Sequence, residues 1–289
     1  MITSTNYLNE QAIQKFIDSA IQEDLGNGDQ SSIASIPQDA EATAKLHIKE
    51  NGIIAGMVLA EKIFHKIDKS LIFERYVNDG DNVAKNDIAF QIRGHARSIL
   101  MVERLVLNCM QRMSGIATKT RHLSEMIKGS NARLQDTRKT SPNFRLAEKW
   151  AVKIGGGKNH RFGLYDMIML KDNHIDFAGG IAKAITATKK YLSETGQTLK
   201  IEIETRNLKE VKEVLEIGGV DIIMLDNMMP SEMREAISMI AGKYITEASG
   251  GITEQNIQEV AECGIDFISV GALTHSFKSL DLSLKATSS

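Results

Sequence analysis

The chain has 289 residues, of which 42% are hydrophobic and 25% charged, and its formal net charge is −2 at pH 7. This length suits one large domain or two modest ones, and the composition is that of an ordinary globular protein. A near-zero net charge argues against a general nucleic-acid binder, which would carry a broad basic face. No segment approaches the roughly 20 apolar residues of a membrane-spanning helix. The first residues carry no basic flank or apolar segment that would predict a secretory signal. From the net charge and the lack of a spanning segment we expect neither a nucleic-acid nor a membrane partner.

The two cysteines, Cys109 and Cys263, each lie within a helix-like pattern. Their apolar surroundings favour buried free thiols, and free thiols fit a reducing intracellular compartment. We therefore predict a cytoplasmic protein.

The first part of the chain mixes helical and strand patterns. Apolar residues that recur every three or four positions predict helices, and apolar residues that alternate with polar ones predict half-buried strands. The predicted helices are Asn9–Glu23, Ala55–Ile67 and Ser98–Met113, and the predicted strands are Ala42–Lys49, Leu71–Val77 and Ile88–Ile92. Together they indicate an α+β unit that ends near residue 114.

From about residue 132 onward, short β-rich segments alternate with amphipathic helical ones. The β-rich segments are Ala132–Asp136, Met167–Leu170, Leu199–Glu204, Asp221–Leu225, Ile245–Ala248 and Phe267–Val270. The later strand ends recur every 21 to 23 residues, the length of a βα unit in a parallel barrel. The clearest helices lie at Asn207–Ile217 and Thr253–Cys263, where Thr253 is the predicted N-cap. In such barrels the active-site groups project from the C-terminal ends of the strands.

Cations are concentrated in the stretch from Arg138 to His174. It contains eight Lys or Arg and two His against three acidic residues, interleaved with Gly and Asn. A single exposed Lys or Arg usually serves only solvation. Here several cations fall at predicted strand ends or glycine loops, namely Arg138, Lys139, His160, Arg161 and Lys171. Because Arg and Lys bind carboxylates and phosphates, this pattern indicates a site for a polyanionic small molecule.

His160 and the carboxylates of the later strands each allow two interpretations. His160 follows three glycines, and it could be a ligand-binding residue or a satisfied core histidine. Glu202 and Glu204 alternate on one strand and share its inner face, and Asp226 ends the next strand. Buried carboxylates need cationic partners or a ligand. They could pair with cationic neighbours, or hold a divalent cation or sugar hydroxyls.

Two glycine turns follow the last two predicted strands. They are Ser249-Gly250-Gly251 and Val270-Gly271-Ala272, each placed before a predicted helix. Backbone N–H groups at such positions bind phosphate, and many barrels have a phosphate site in these last loops. On pattern alone, Arg104 belongs to the solvated side of its helix.

Taken together, the motifs closely resemble those of the quinolinate phosphoribosyltransferase family, the decarboxylating nicotinate-nucleotide pyrophosphorylases. The matching motifs are Glu103-Arg104-Leu105-Val106-Leu107-Asn108, Ser114-Gly115-Ile116-Ala117-Thr118, Thr137-Arg138-Lys139-Thr140, Gly155-Gly156-Gly157-Lys158-Asn159-His160-Arg161, Leu170-Lys171-Asp172-Asn173-His174, Leu225-Asp226-Asn227, Glu247-Ala248-Ser249-Gly250-Gly251 and Ser269-Val270-Gly271-Ala272-Leu273. The resemblance extends from about Glu23 to Leu284. There are two departures from the family pattern: Asp29-Gln30-Ser31-Ser32 lacks the usual Thr, and Asn143 replaces a Gly after Pro142.

The resemblance implies the fold class and the assembly. It implies an N-terminal α/β sandwich domain at residues 1–114, an open seven-stranded α/β barrel of the type II phosphoribosyltransferase class at 115–276, and a C-terminal segment at 277–289 that could pack back on the first domain. It also implies a homodimer or a higher oligomer in which Arg104 reaches the partner's site.

The family reaction transfers the phosphoribosyl group of phosphoribosyl pyrophosphate to quinolinate, with loss of CO2, to give nicotinate mononucleotide and pyrophosphate for de novo NAD biosynthesis. Implied catalytic residues are Lys139, Lys171, Glu204 and Asp226, the last two also facing Mg²⁺. The implied substrate-binding residues are Arg104, Thr137, Arg138, Lys139, His160, Arg161, Lys171, Glu204, Asp226, Ser249, Gly250, Gly251, Val270, Gly271 and Ala272.

Three other functions stay open at this point. An aldolase-like enzyme of the same fold would use Lys139 or Lys171 as a Schiff-base nucleophile, which borohydride would trap. A related transferase acting on nicotinate or another base would release no CO2. A non-enzymatic sensor of phosphorylated metabolites would not need cations and carboxylates to converge at a barrel mouth.

Overall fold

The computed structural model describes residues 7–287. They form two compact units between which the chain passes more than once. The antiparallel unit contains residues 7–121, 139–156 and 272–287, and the parallel unit contains residues 122–138 and 157–271. The sequence-based prediction divides the chain after residues 114 and 276, whereas in the structure residues 139–156 also belong to the antiparallel unit.

The helices and strands follow in chain order. The first half contains α1 (Glu10–Leu25), α2 (Gln30–Ser35), β1 (Glu41–Ile48), β2 (Gly52–Ile53), α3 (Met57–Ile67), β3 (Ile72–Arg75), β4 (Asn82–Val83), β5 (Ile88–His95) and α4 (Ala96–Met126). The second half contains β6 (Arg133–Gln135), α5 (Arg145–Ile154), β7 (Ile168–Leu170), α6 (Asp172–Ala178), α7 (Ile181–Thr195), β8 (Ile201–Thr205), α8 (Leu208–Ile217), β9 (Ile222–Asp226), α9 (Pro230–Ile240), β10 (Ile245–Ser249), α10 (Ile257–Ala261), β11 (Phe267–Ser269), α11 (Ala272–His275) and β12 (Leu282–Ala286). None of the described helices combines the length and apolarity that a membrane crossing requires.

The antiparallel unit is built on a four-stranded sheet with the order β12-β1-β5-β3. Helix α3 contributes Phe64, which meets Phe90 of β5 with ring centroids 6.0 Å apart. Phe90 in turn packs on Phe73 of β3 at 4.5 Å. The predicted α/β sandwich is therefore confirmed. The edge strand comes from the end of the chain, since β12 pairs antiparallel with β1 from Ala44 opposite Ala286 to Ile48 opposite Leu282.

The parallel unit is built on a six-stranded parallel sheet with the order β6-β11-β10-β9-β8-β7. The predicted open α/β architecture is confirmed, but within residues 7–287 this sheet has six strands rather than seven. At the position of a seventh strand, Lys158 forms a single parallel bridge with Gln135. The ladder does not continue because the backbone N–H of His160 donates to the side chain of Asp136 instead of to a neighbouring strand.

Three element boundaries differ from the predictions for local reasons. Helix α4 continues to Met126, beyond the predicted end at Met113, and Gly115 lies within it. Helix α3 begins only at Met57 because Gly56 adopts the left-handed φ of 95°. Thr253 is not an N-cap: its backbone N–H donates to Asn256 Oδ1 at 2.8 Å, and the shorter helix α10 begins after Asn256.

Both cysteines are buried and unbridged, as predicted. Burial raises the pKa of the Cys109 thiol to about 12, so this thiol stays protonated and unreactive.

Candidate active site

The C-terminal edge of the parallel sheet gathers the polar ends of the six strands. Ser249 at the end of β10 lies in register with Asp226 at the end of β9. The backbone N–H of Val270, just after β11, donates to the carbonyl of Gln135 at the end of β6 at 3.0 Å. The segments that follow these strands therefore start from one edge, as the barrel prediction required.

Arg161 is a buried cation with no acidic partner at ion-pair distance. Its side chain donates to the Met167 carbonyl at 3.2 Å and contacts Met169 Sδ at 3.5 Å, and it makes no salt bridge in the described part of the chain. The residue is only 8% exposed. Burial lowers the pKa of Arg161, and the nearby charge of Arg138 lowers it further. Two guanidinium groups that repel each other in a partly buried place form a site suited to an anion.

The loop that carries Arg161 is held by Asp136, which follows β6 and is fully buried. The Asp136 carboxylate accepts from Asn159 Nδ2 at 2.6 Å and from the backbone N–H of His160 at 2.9 Å. The backbone N–H of Arg161 then donates to His160 Nδ1 at 2.7 Å. The path of residues 159–161 is thus determined by hydrogen bonds to buried side chains.

His160 also lies inside the sheet, beside two carboxylates. Its Nε2 is 2.9 Å from Glu202 Oε2 and 3.4 Å from Glu247 Oε2, and all three residues are buried. Glu247 also accepts from Ser269 Oγ at 2.6 Å and from Gln135 Nε2. We name His160, Glu202, Glu247, Gln135 and Ser269 the buried cluster.

The charges in the buried cluster are strongly coupled. Burial lowers the pKa of His160, but the charges of Glu247 and Glu202 outweigh it and raise the pKa above its ordinary value. Burial and the Glu247 charge raise the pKa of Glu202. Burial also opposes ionisation of Glu247, but its contacts with His160 and Ser269 lower its pKa. The backbone N–H of Arg161 donates to His160 Nδ1 and so disfavours a second proton on the ring, whereas the two carboxylates favour it. In the neutral and in the charged form of the ring, Nε2 carries the proton that is directed at Glu202.

Lys171 and Glu204 form an ion pair at the ends of β7 and β8. Lys171 Nζ contacts Glu204 Oε1, and the backbone N–H of Asp172 approaches Glu204 Oε2 at 3.4 Å. Glu204 is 7% exposed and Lys171 is half-buried. A pair of this kind can open when a ligand competes for either partner. The sequence allowed two interpretations of the inner carboxylates, pairing with a cation or binding of a ligand. The Lys171–Glu204 contact is a pairing of the first kind.

Asp226 is oriented by its neighbour. Asn227 Nδ2 donates to Asp226 Oδ2 at 2.9 Å, and the backbone N–H of Asn227 donates to the Ser249 carbonyl at 2.9 Å. Asn227 adopts a left-handed φ of 55° and packs against Gly250. Asp226 and the Ser249-Gly250-Gly251 turn therefore form one structural unit.

The two glycine turns are positioned differently relative to their helices. Gly271 leads directly into α11, whereas Gly251 is separated from α10 by the turn at residues 253–256. Both turns precede a helix, as expected, although a separate turn lies between Gly251 and α10. Gly250 and Gly251 have successive left-handed φ angles of 83° and 62°. Such a backbone can direct N–H groups toward an anion.

The predicted site residues are divided between the two compact units. The parallel unit contains Thr137, Arg138, His160, Arg161, Lys171, Glu204, Asp226, Ser249, Gly250, Gly251, Val270 and Gly271. The antiparallel unit contains Arg104, Lys139 and Ala272. Arg104 is exposed on α4, and the Lys139 carbonyl accepts from Thr274 Oγ1 at 2.8 Å.

Sequence reasoning gave no role to Asp136, Gln135, Glu247, Ser269 or Asn227. Glu247 offered a signal, because a charged residue in the middle of a buried strand is costly without a partner. Asn227 offered none, since its left-handed backbone conformation depends on its contact with the neighbouring strand.

Two family models match the chain. The model described as quinolinate phosphoribosyl transferase, N-terminal domain, matches residues 29–114. The model of the C-terminal domain of the same enzyme matches residues 116–285.

Several known proteins are similar along most of their length. Quinolinate phosphoribosyltransferase [decarboxylating] 2, mitochondrial, from Nicotiana glauca is 46% identical, over 94% of this chain and 82% of its own. A probable nicotinate-nucleotide pyrophosphorylase [carboxylating] from Bacillus subtilis is 39% identical, over 97% of this chain and 95% of its own. The crystal structure of NadC from Streptococcus pyogenes superposes with a TM-score of 0.90 at 39% identity, over 96% and 98% of the two chains. The resemblance seen in the motifs is confirmed, and the chain belongs to the quinolinate phosphoribosyltransferase family.

Proposed function

We propose that this protein transfers the phosphoribosyl group of phosphoribosyl pyrophosphate to quinolinate and releases CO2 and pyrophosphate, giving nicotinate mononucleotide. The observation that carries this proposal is Arg161, a buried guanidinium without an acidic partner beside Arg138. Quinolinate carries two adjacent carboxylates, and a pair of arginines is suited to bind them bidentately.

The remaining cations complete the proposed quinolinate site. Thr137 and Lys139 are the chain neighbours of Arg138, and the family resemblance is the ground on which we include them in the proposed quinolinate site. His160 is the exception among the predicted ligands, because both of its ring nitrogens already contact protein groups. We therefore revise its role from a direct ligand to a residue that acts on the loop holding Arg161.

Glu204 and Asp226 are proposed to face the ribose hydroxyls and a Mg²⁺ ion that the pyrophosphate also binds. Mg²⁺ is usually held by one or two carboxylates together with substrate phosphates and water, so two carboxylates at neighbouring strand ends fit it. In the described chain they belong to no group of three acidic, His or Cys ligands, which agrees with a metal that needs the substrate as well. Bound Mg²⁺ would neutralise charge on the leaving pyrophosphate. Lys171, in contact with Glu204, would bind the same anion.

The glycine turns at Ser249–Gly251 and Val270–Ala272 are proposed to bind the 5′-phosphate through backbone N–H groups. With both substrates so placed, the pyridine nitrogen attacks the ribose carbon as pyrophosphate departs. The ring cation stabilises the electron pair left on C2 when the 2-carboxylate leaves as CO2, and a proton then takes the place of the carboxylate at C2. The protein contributes mainly positioning and electrostatic stabilisation, and no covalent intermediate is needed.

The direct test is incubation with quinolinate, phosphoribosyl pyrophosphate and Mg²⁺. We expect nicotinate mononucleotide and CO2 in equal amounts, and the absence of both would reject the proposal. Arg138→Ala should raise the quinolinate KM at least tenfold, because a charge-assisted contact of ~1.5–3 kcal/mol is lost, while the fold is retained in circular dichroism. Arg133→Ala is the matched control, since Arg133 is exposed at the opposite end of β6 and should leave the kinetics unchanged.

The same assay addresses the alternatives. A transferase acting on nicotinate would form product without CO2. A Schiff-base enzyme would need a lysine amine that is available to attack a carbonyl, whereas the Lys171 amine is engaged in the ion pair with Glu204.

We further propose that the protein works as a homodimer or higher oligomer in which Arg104 completes the partner's site. Arg104 is exposed on α4, as a residue with such a role must be in a single chain. For the compartment we propose the cytoplasm, which the two buried free thiols support. Some plant relatives are named as mitochondrial or chloroplastic proteins, so cell fractionation is the relevant measurement.

A further inference from the structure

The proposed reaction assigns no role to the two carboxylates of the buried cluster. Glu202 is 0% and Glu247 1% exposed, in a part of the sheet otherwise lined by Met167, Met169, Ile222 and Met224. Burying two carboxylates and an imidazole is expensive, and apolar residues of similar volume would often be equally or more stable there. Stability alone therefore does not account for the cluster.

The contacts of the cluster lead to one segment. His160 Nε2 meets Glu202 Oε2 at 2.9 Å, and His160 Nδ1 accepts the backbone N–H of Arg161 at 2.7 Å. The imidazole is thus a rigid link between the buried carboxylates and Arg161, whose guanidinium has no acidic partner at ion-pair distance. Glu247 is in turn held on both oxygens, by Ser269 Oγ at 2.6 Å and by Gln135 Nε2.

We propose that Glu247, together with Glu202, is a positioning residue for substrate binding: the pair fixes the His160 ring, and through it the Arg161 backbone, so that the Arg161 guanidinium stands beside Arg138 where a substrate carboxylate binds. Glu202 also adds negative charge near the Arg161 guanidinium, which the charge of Arg138 repels. This inference rests on the proposed function, because it names the anion that Arg161 receives.

A bound metal would be a different use of the same residues. The ligand atoms of His160, Glu202 and Glu247 lie within 4.8 Å of one another, which is close enough for one ion. However, the His160 Nε2 proton and both Glu247 oxygens are already hydrogen-bonded within the protein. We therefore interpret the group as a hydrogen-bonded support for Arg161.

The test is the steady-state kinetics of Glu247→Gln, which keeps the shape of the side chain and removes its charge. Outer residues that orient a binding group typically contribute about 10–100-fold. We expect the quinolinate KM to rise by about that factor, with the phosphoribosyl pyrophosphate KM within about twofold of wild type. A purely structural role would lower the melting temperature and would affect both substrates alike. Glu259→Gln, an exposed carboxylate on α10, is the control and should change neither KM.

A double-mutant cycle shows whether Glu247 acts through Arg161. In an Arg161→Lys background, Glu247→Gln should raise the quinolinate KM by less than about twofold, since coupled residues are not additive. Additive effects would overturn the inference, as would an unchanged quinolinate KM in the single variant. If Glu247→Gln does not fold, Ser269→Ala removes only the 2.6 Å hydrogen bond to Glu247, and it should raise the same KM less strongly.

The outcome separates the inference from the proposed function. If the wild-type enzyme releases CO2 from quinolinate but the Glu247 and Ser269 variants have the wild-type quinolinate KM, only the positioning role is rejected. A wild-type protein without turnover rejects the proposed function itself.

Discussion

At the scale of single residues, the contact between Asn227 and Gly250 shows how one position constrains another. Asn227 orients the Asp226 carboxylate, and its side chain occupies the space that a Cβ at residue 250 would need. A Cβ built on Gly250 would come within 2.6 Å of Asn227 Nδ2, whereas one on Gly251 would lie 3.9 Å from Asn227 Oδ1. Both glycines have positive φ, so they differ mainly in this overlap.

Gly250→Ala should therefore impair catalysis more than Gly251→Ala. Both variants carry the left-handed backbone cost of about 1–2 kcal/mol, but only the first displaces Asn227 and with it Asp226. We expect the phosphoribosyl pyrophosphate KM to rise more in Gly250→Ala, measured in the assay above. Adding Asn227→Gly to the Gly250→Ala variant should make room for the new Cβ at residue 250. It should not restore the orientation of Asp226, because the hydrogen bond from Asn227 Nδ2 is then missing. Equal effects of the two alanine variants would show that the contact is unimportant.

The departure at Asn143 has a similar residue-scale explanation. Asn143 stands where the family pattern has Gly, and its φ is 61°. Asn is the residue that tolerates this left-handed region best after Gly, so the substitution keeps the turn. The second departure is also compatible with local structure, because Asp29 caps α2 by accepting from the backbone N–H groups of Ser31 and Ser32.

At the scale of elements, helix α4 is the clearest case in which packing overrides the local pattern. Glycine inside a helix is unfavourable by about 1 kcal/mol relative to alanine, and the predicted helix ended at Met113, before Gly115. In the structure the helix continues through residue 115, which lies close against the segment that leads to β12. A Cβ there would overlap the Lys278 carbonyl oxygen and lie 2.9 Å from Ser279 Cα. The glycine permits this close approach of two backbone segments.

Gly115→Ala should therefore destabilise the protein despite the better helix propensity of alanine. Overlap with backbone atoms cannot be relieved by a rotamer change, and overpacking of this kind costs about 1–3 kcal/mol. The free energy of unfolding in urea is the measurement. Asn108→Ala on an exposed position of the same helix is the control and should be neutral or slightly stabilising. A stabilised Gly115→Ala variant would mean that the two segments separate at little cost.

The strand predictions succeeded at this scale. All six β-rich segments of the later half are strands whose bounds differ by at most two residues from those expected. They are buried parallel strands followed by polar turns, a pattern that is local in the sequence. Helix starts that depend on a distant cap were less predictable, as at Met57, whose backbone N–H donates to Asp79 Oδ1 at 2.9 Å.

At the scale of the whole molecule, residues near both ends of the chain build the same sheet. Strand β12 forms the edge next to β1, with Leu282 and Leu284 buried. The antiparallel unit therefore contains the N-terminal part of the chain, one internal segment and the C-terminal segment. This arrangement requires synthesis of almost the entire chain before its sheet can be completed.

The proposed assembly can be tested by subunit complementation. At a quinolinate concentration well below KM, Arg104→Ala and Arg138→Ala should each retain about a tenth or less of the wild-type activity if both residues belong to the site. If Arg104 acts in the partner subunit, a refolded mixture of the two variants contains hybrid dimers with one intact site, so about a quarter of the wild-type activity should return, since half of the dimers are hybrid in random pairing. No recovery from a mixture that exchanges subunits would place Arg104 in its own subunit's site, or outside any site.

The sequence by itself determined the family, the open α/β fold class and the set of charged residues at the strand ends. These features are local: periodicity identifies the strands, and the motifs lie within a few residues of one another. The tertiary structure decided which of the charges are paired. It joined Lys171 to Glu204, left Arg161 without an acidic partner, and brought Glu202 and Glu247 together on His160. Such pairings depend on strand register and on the path of the loops between strands, because these determine which side chains meet, and neither is encoded in the periodicity of any one segment.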